Sequence, residues 1–205
     1  MTHIGHRGKV LLMRIFLTVL ILTFSLQSLT KADDIRDFEI EGMSVGDSLL
    51  DYFTKEKIDK IKGTPWKDKK TYYQFGSEKN LTQYQIITAA YLINDNTYKI
   101  HEITGRSDMN YKKCKNEIKK ISLQVENLFK SARKDDQGEY NHRSDDSKKS
   151  KVRTINYFLS DGSLVHVACY NWSDEMIKTM NYKDRLIISL SSKQYVEWQR
   201  NKAYK

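Results

Sequence analysis

Three histidines follow residue 32: His101, His142 and His166. His142 stands just before Asp145, Asp146 and Ser147. Those types could serve a Ser-His-Asp hydrolase or bind a metal through nitrogen and oxygen. A nucleophile, however, needs rigid support and an oxyanion hole. His142 lies in the polar run 131–151, SARKDDQGEYNHRSDDSKKSK, which encodes neither. No GxSxG, HExxH, P-loop or GxGxxG occurs. His101 and His166 fall on strand-like segments and read as partly exposed strand residues. No catalytic, cofactor-binding or metal-binding set is assigned, and a protein that is not an enzyme and carries no cofactor is expected. Cys114 and Cys169 have a more definite chemistry. In an exported chain two cysteines read as one disulfide, with two buried free thiols as the alternative.

Export is read from the first residues. Arg7, Lys9 and Arg14 precede an apolar run, Ile15 to Leu26, broken only by Thr18, Thr23 and Ser25. Thr30 and Ala32 then supply small residues, so a signal peptide over 1–32 is expected, cleaved after Ala32. Translation from Met1 or from Met13 fits equally. The run falls short of the roughly 20 residues of a membrane span. Residues 33–205 remain as one domain, periplasmic or secreted. Of 35 basic residues four leave with the signal and all 26 acids stay, for a net charge of about +5. So mild an excess, spread along the chain, does not suit a nucleic-acid partner.

The elements that would position these residues follow from periodicity. Asp37 to Ile40 alternates as a short strand, Gly42 bends the chain, and Ser44 with Asp47 starts a helix burying Leu49, Leu50 and Phe53. Gly46 in that first turn has no evident reason unless another backbone comes close. Thr54 caps a second short helix. Strands are expected at 71–75, 84–93 and 98–103. A long helix follows, its apolar stripe running Tyr111, Cys114, Ile118, Ile121, Val125, Leu128. The stretch 131–151 reads as a flexible polar loop. A hairpin at 152–159 and 164–170 turns at Asp161-Gly162. A last strand spans 185–190, and Ser191 with Gln194 caps a final helix bearing Tyr195, Val196 and Trp198. If Cys169 faces the long helix, Val165 and Val167 do too, and the helix lies across that hairpin. Together these give an α+β fold, an antiparallel sheet of about six strands with helices packed on one face. Two helix-plus-three-strand repeats would produce this layout, and so would chance.

The opening ADDIRDFEIEGMSVGDSLLDYF, the helix around Cys114, the segment Val167-Ala168-Cys169-Tyr170-Asn171-Trp172 and the final Tyr195-Val196-Glu197-Trp198 resemble small exported proteins of marine alphaproteobacteria. The resemblance implies export and a setting for the cysteine pair, and brings no activity. Ile40-Glu41-Gly42-Met43-Ser44 also looks like the start of BamE-like and beta-lactamase-inhibitor-like domains, which are protein-binding modules of helix and antiparallel sheet. The expected function is a non-enzymatic envelope module that meets an envelope protein or a small ligand, without stable membrane insertion. Two rivals stand beside it: a small envelope hydrolase using His142 or His166, and a structural exported protein with no stable partner.

Overall fold

The structure is a computed structural model, describing residues 34–78 and 80–205. The expected signal peptide and its cleavage point lie outside the described residues. Seven strands form one sheet: β1 (Tyr72–Ser77), β2 (Ile86–Leu92), β3 (Glu102–Asp108), β4 (Arg133–Asn141), β5 (Lys151–Phe158), β6 (Leu164–Asn171) and β7 (Arg185–Ser191). Four helices accompany them among the described residues: α1 (Lys55–Ile61), α2 (Tyr111–Leu128), α3 (Asp174–Met180) and α4 (Lys193–Asn201). The strand order is β1-β2-β3-β7-β6-β5-β4, and every neighbouring pair is antiparallel. The α+β class stands, with a seventh strand added. Each of α1 and α2 leads into a three-stranded meander. β7 sits between the two meanders and pairs with the last strand of each.

Strand alternation gives the sheet two faces. One carries Phe75, Ile87, Ala89, Tyr91, Ile103, Ile155, Tyr157, Val165, Val167, Leu186, Ile188 and Leu190, all in the main core. Helix α2 lies on it and meets β6 and β7. Its Cys114, Ile118, Ser122 and Val125 are buried, but the last residue of the expected stripe, Leu128, is exposed. Cys114 and Cys169 form the disulfide, with Cα atoms 5.8 Å apart. The helix thus crosses the β5–β6 hairpin on the side of Val165 and Val167, as their alternation requires.

The expectation that helices gather on one face needs correction. Helix α4 closes part of the other face, where Tyr195 and Trp198 pack on Trp66, Tyr72 and Ala90. Tyr72 and Phe75 point to opposite faces of β1, so this small aromatic core is separate from the main one. Trp198 donates its indole N–H to Asp68 at 2.6 Å.

The opening stretch also departs from expectation. Residues 35–53 form neither an extended strand nor an α-helix, only single 3₁₀ turns at Ile35–Asp37 and Leu49–Asp51. Gly42 and Gly46 hold positive φ angles of 76° and 100°, which a continuing helix forbids. Gly46 is glycine for that reason; the Arg36 side chain lies where a Cβ would point, and the expected close backbone is that of Ile100, whose carbonyl accepts the Gly46 N–H at 2.8 Å. The Ser44 hydroxyl donates to the carbonyls of Arg36 and Phe38 instead of capping a helix. The backbone of Gly46, Asp47 and Leu49 bonds to Tyr98 and Ile100, so the segment runs alongside the approach to β3. That pairing displaces β3 to residues 102–108, later than the strand expected at 98–103. Thr54 caps α1 as expected, while Ser192, one residue beyond the expected Ser191, caps α4.

The polar run 131–151 contains β4, so it is not one long loop. The strand is an edge and both its faces are largely exposed. It therefore lacks the apolar alternation by which a strand is read. Its charges and the register shift between Asp136 and Glu139 blunt the edge. The turn after it is stitched by buried Asp145, whose carboxylate accepts from the backbone and hydroxyls of Ser147 and Ser150.

Candidate functional site

The face opposite α2 is polar where a second core would be apolar. Thr88 on β2, Thr104 on β3, Ser189 on β7, His166 on β6 and Asn156 on β5 stand in register, side by side across five strands. Thr104 donates to Glu102 on its own strand, and its hydroxyl lies 2.6 Å from that of Ser189. His166 Nδ1 lies 2.8 Å from Asn156 Oδ1. That oxygen only accepts, so Nδ1 carries the proton and Nε2 keeps its lone pair. Burial drives the His166 imidazole down to about 4, so it is neutral at physiological pH.

A second row adjoins the first. Arg106 stands between Ile86 of β2 and Ile187 of β7, with Ala168 of β6 beyond. Beyond that, Arg185, Tyr170, Val152 and Tyr140 line up toward the β4 edge. There a cleft of about 750 Å³ opens, lined by Tyr140, Val152, Tyr170, His142 and Arg143 among others. Tyr170 stacks on Trp172 at 5.6 Å; Trp172 in turn meets His142 and Tyr182.

On this face three buried polar atoms, Thr88 Oγ1, Glu102 Oε2 and Arg106 Nε, have no hydrogen-bond partner among the described residues; Tyr72 Oη under α4 and Trp172 Nε1 by the cleft are two more. Thr88 and Glu102 are only 8% and 7% exposed, so solvent does not serve them freely. A buried polar atom left unpaired costs about 1–3 kcal/mol. Burial pushes the Glu102 carboxyl up to about 7, and neither Thr104 nor the Arg106 charge reverses it. No ion pair joins Glu102 to Arg106 among the described residues.

Of the residues singled out in the sequence, only His166 belongs to this face. His101 is buried, 3.3 Å from the Ser192 hydroxyl and edge-on to Tyr72. His142 lines the cleft, but its Nδ1 accepts from the Ser144 N–H, and Asp145 is engaged by its serines. His142, Asp145 and Ser147 therefore form no relay. His166 has no hydrogen bond to Ser189, so it has no activated nucleophile either. Among the described residues no three His, Cys, Asp or Glu side chains come together to hold a metal. Sequence reasoning passed over Thr88, Glu102, Thr104, Arg106, Asn156 and Ser189. Their one signal is polarity on alternate strand positions, which any solvated face shares. No family model, curated protein or solved structure matches the chain.

Proposed function

We propose that this protein is an exported envelope module that binds a small polar ligand on the open face of its sheet and performs no chemistry on it. The observation that carries this reading is the cluster of partnerless buried atoms, Thr88 Oγ1, Glu102 Oε2 and Arg106 Nε, beside an ordered row of hydroxyl, imidazole and amide groups. Polar groups converging on a part-buried surface are what orient a ligand, and an unpaired buried donor or acceptor gains most from one. The disulfide supports export. Among the described residues no helix is long and apolar enough to cross a membrane.

The test is retention. The full chain is mixed with a small-molecule extract of bacterial envelopes, desalted, unfolded, and the released compounds are identified by mass spectrometry. Native protein should retain a compound at near-stoichiometric yield. The double variant Ser189→Leu/His166→Leu, confirmed folded by circular dichroism, should not. Equal retention by the variant, or none by the native protein, overturns the reading.

A further inference from the structure

The neighbours of Arg106 specify the ligand more closely. Its Nε is buried without a hydrogen-bond partner, and Arg106 is in none of the ion pairs among the described residues. Arg106 is half-buried, a partly desolvated setting in which its Nε–H is a buried donor that nothing pairs, and such a donor is costly. The same setting strengthens any ion pair formed there. Glu102 is not its counter-ion: four residues along the same strand, it spends one oxygen on Thr104 and is held largely protonated below neutral pH by burial.

What lies to either side is apolar. Ile86 and Ile187 flank Arg106 in register, both half-buried, and Ala168 extends the strip by one strand. Neighbouring strands lie about 4.8 Å apart, so Arg106 to Ala168 spans roughly 10 Å at that spacing. That is room for one ring or a short chain. The polar row of Thr104, Ser189 and His166 borders the strip along its length.

We propose that Arg106 is an oxyanion site for a small monocarboxylate, whose carboxylate takes the guanidinium and whose apolar body lies on Ile187 and Ala168. This rests on the binding-face reading above and names its ligand class. A planar carboxylate matches the forked donors of arginine with two parallel hydrogen bonds. The flanking isoleucines and alanine supply no cation, and the guanidinium of Arg185 in the adjoining row already donates its Nε–H to the Lys183 carbonyl, whereas a phosphate of higher charge generally gathers several free cationic groups.

Calorimetric and NMR titration of the full chain with 3-phenylpropionate tests this. The acid should bind saturably and shift the amide signals of Ile86, Arg106 and Ile187. 3-Phenylpropanol, with the same body and no charge, should bind at least tenfold more weakly. Arg106→Gln should lose at least tenfold in affinity while keeping the native spectrum, and Arg106→Lys should fall between. If acid and alcohol bind this face equally, the carboxylate assignment fails while the binding face stands. If inorganic phosphate binds as tightly and displaces the acid, the carboxylate preference fails. If millimolar acid moves no signal on the face, the inference fails outright. The binding-face reading is decided separately, by the retention experiment.

Discussion

Glu41 shows how one side chain organises a stretch of chain. Its backbone is left-handed, with φ at 55°, and its carboxylate accepts from Thr82 N–H and Oγ1, Gln83 N–H and Tyr84 N–H at 2.6–2.9 Å. Burial alone would raise the Glu41 carboxyl; the hydrogen bonds outweigh it and hold the group below its ordinary value. Hydrogen bonds to a charged group are the stronger kind, so Glu41→Ala should cost about 2–3 kcal/mol in urea unfolding. A folded value held low stabilises above the unfolded value and ceases to as pH falls. The gap between Glu41→Ala and the native protein should therefore shrink as pH drops below the ordinary glutamate value; a gap constant with pH would show that the carboxylate charge plays no part. The residues placed by Glu41 include Tyr84, whose ring lies over Gly105. A Cβ at Gly105 would come within 2.6 Å of that ring. Gly105→Ala should then destabilise by about 1–3 kcal/mol, and a Tyr84→Ala background should remove most of that penalty. Equal penalties in both backgrounds would place the cause in the strand backbone.

At the scale of elements, legibility tracked burial. Helix α2 could be read because Cys114, Ile118 and Val125 recur at helical spacing and are buried. Strands β5, β6 and β7 could be read because apolar residues alternate toward the main core. β4 could not, because an exposed edge strand needs no apolar face, and its sequence RKDDQGEYN resembles a loop. The opening stretch misled for a different reason. Ser44 and Asp47 do make half of a capping box, since the Asp47 carboxylate accepts the Ser44 N–H. Tertiary hydrogen bonds to Tyr98 and Ile100 then claim the backbone that a helix would have used. The candidate site was the least legible part. Thr88, Thr104, Asn156, His166 and Ser189 are neighbours only through the register of five strands, and no local pattern encodes register between distant segments. The cysteine pair was legible because its chemistry has one common outcome in an exported chain. Its bridge spans 55 residues, and replacing both cysteines by alanine should cost about 4 kcal/mol on the chain-entropy account. Chemical denaturation of the oxidised protein and of the double variant measures this. A difference below about 1 kcal/mol would mean that residual contacts between these segments already restrain the unfolded chain.

For the molecule as a whole, the polar face links stability to pH through two groups, buried Glu102 and half-buried His166, whose shifts oppose. Glu102 ordinarily titrates at 4.5 and is pushed up to about 7 by burial. The folded state therefore prefers its protonated form, and this contribution is complete below 4.5 and lost as pH rises to about 7. His166 ordinarily titrates at 6.5 and is pushed down to about 4, also by burial. Its contribution is complete above 6.5 and lost as pH falls to about 4. The two windows overlap almost entirely, and each carries a limiting slope of about 1.4 kcal/mol per pH unit. Between about pH 4.5 and 6.5 the slopes are opposite in sign and nearly equal. These two groups should therefore cancel in the native stability profile there, and the cancellation would conceal two large titrations. Single substitutions uncover them. Relative to the native protein, Glu102→Gln should tilt the profile upward from pH 4.5 to 6.5 and His166→Asn should tilt it downward, while the rises from His101 and His142, both also held down by burial, are common to all three proteins. Urea midpoints at half-unit pH steps for the three proteins decide the matter. Two variants whose profiles run parallel to the native one would show that neither group is desolvated on this face. A ligand carboxylate seated on Arg106 would add a negative charge near Glu102 and hold it protonated to higher pH, shifting only the Glu102 limb of the profile.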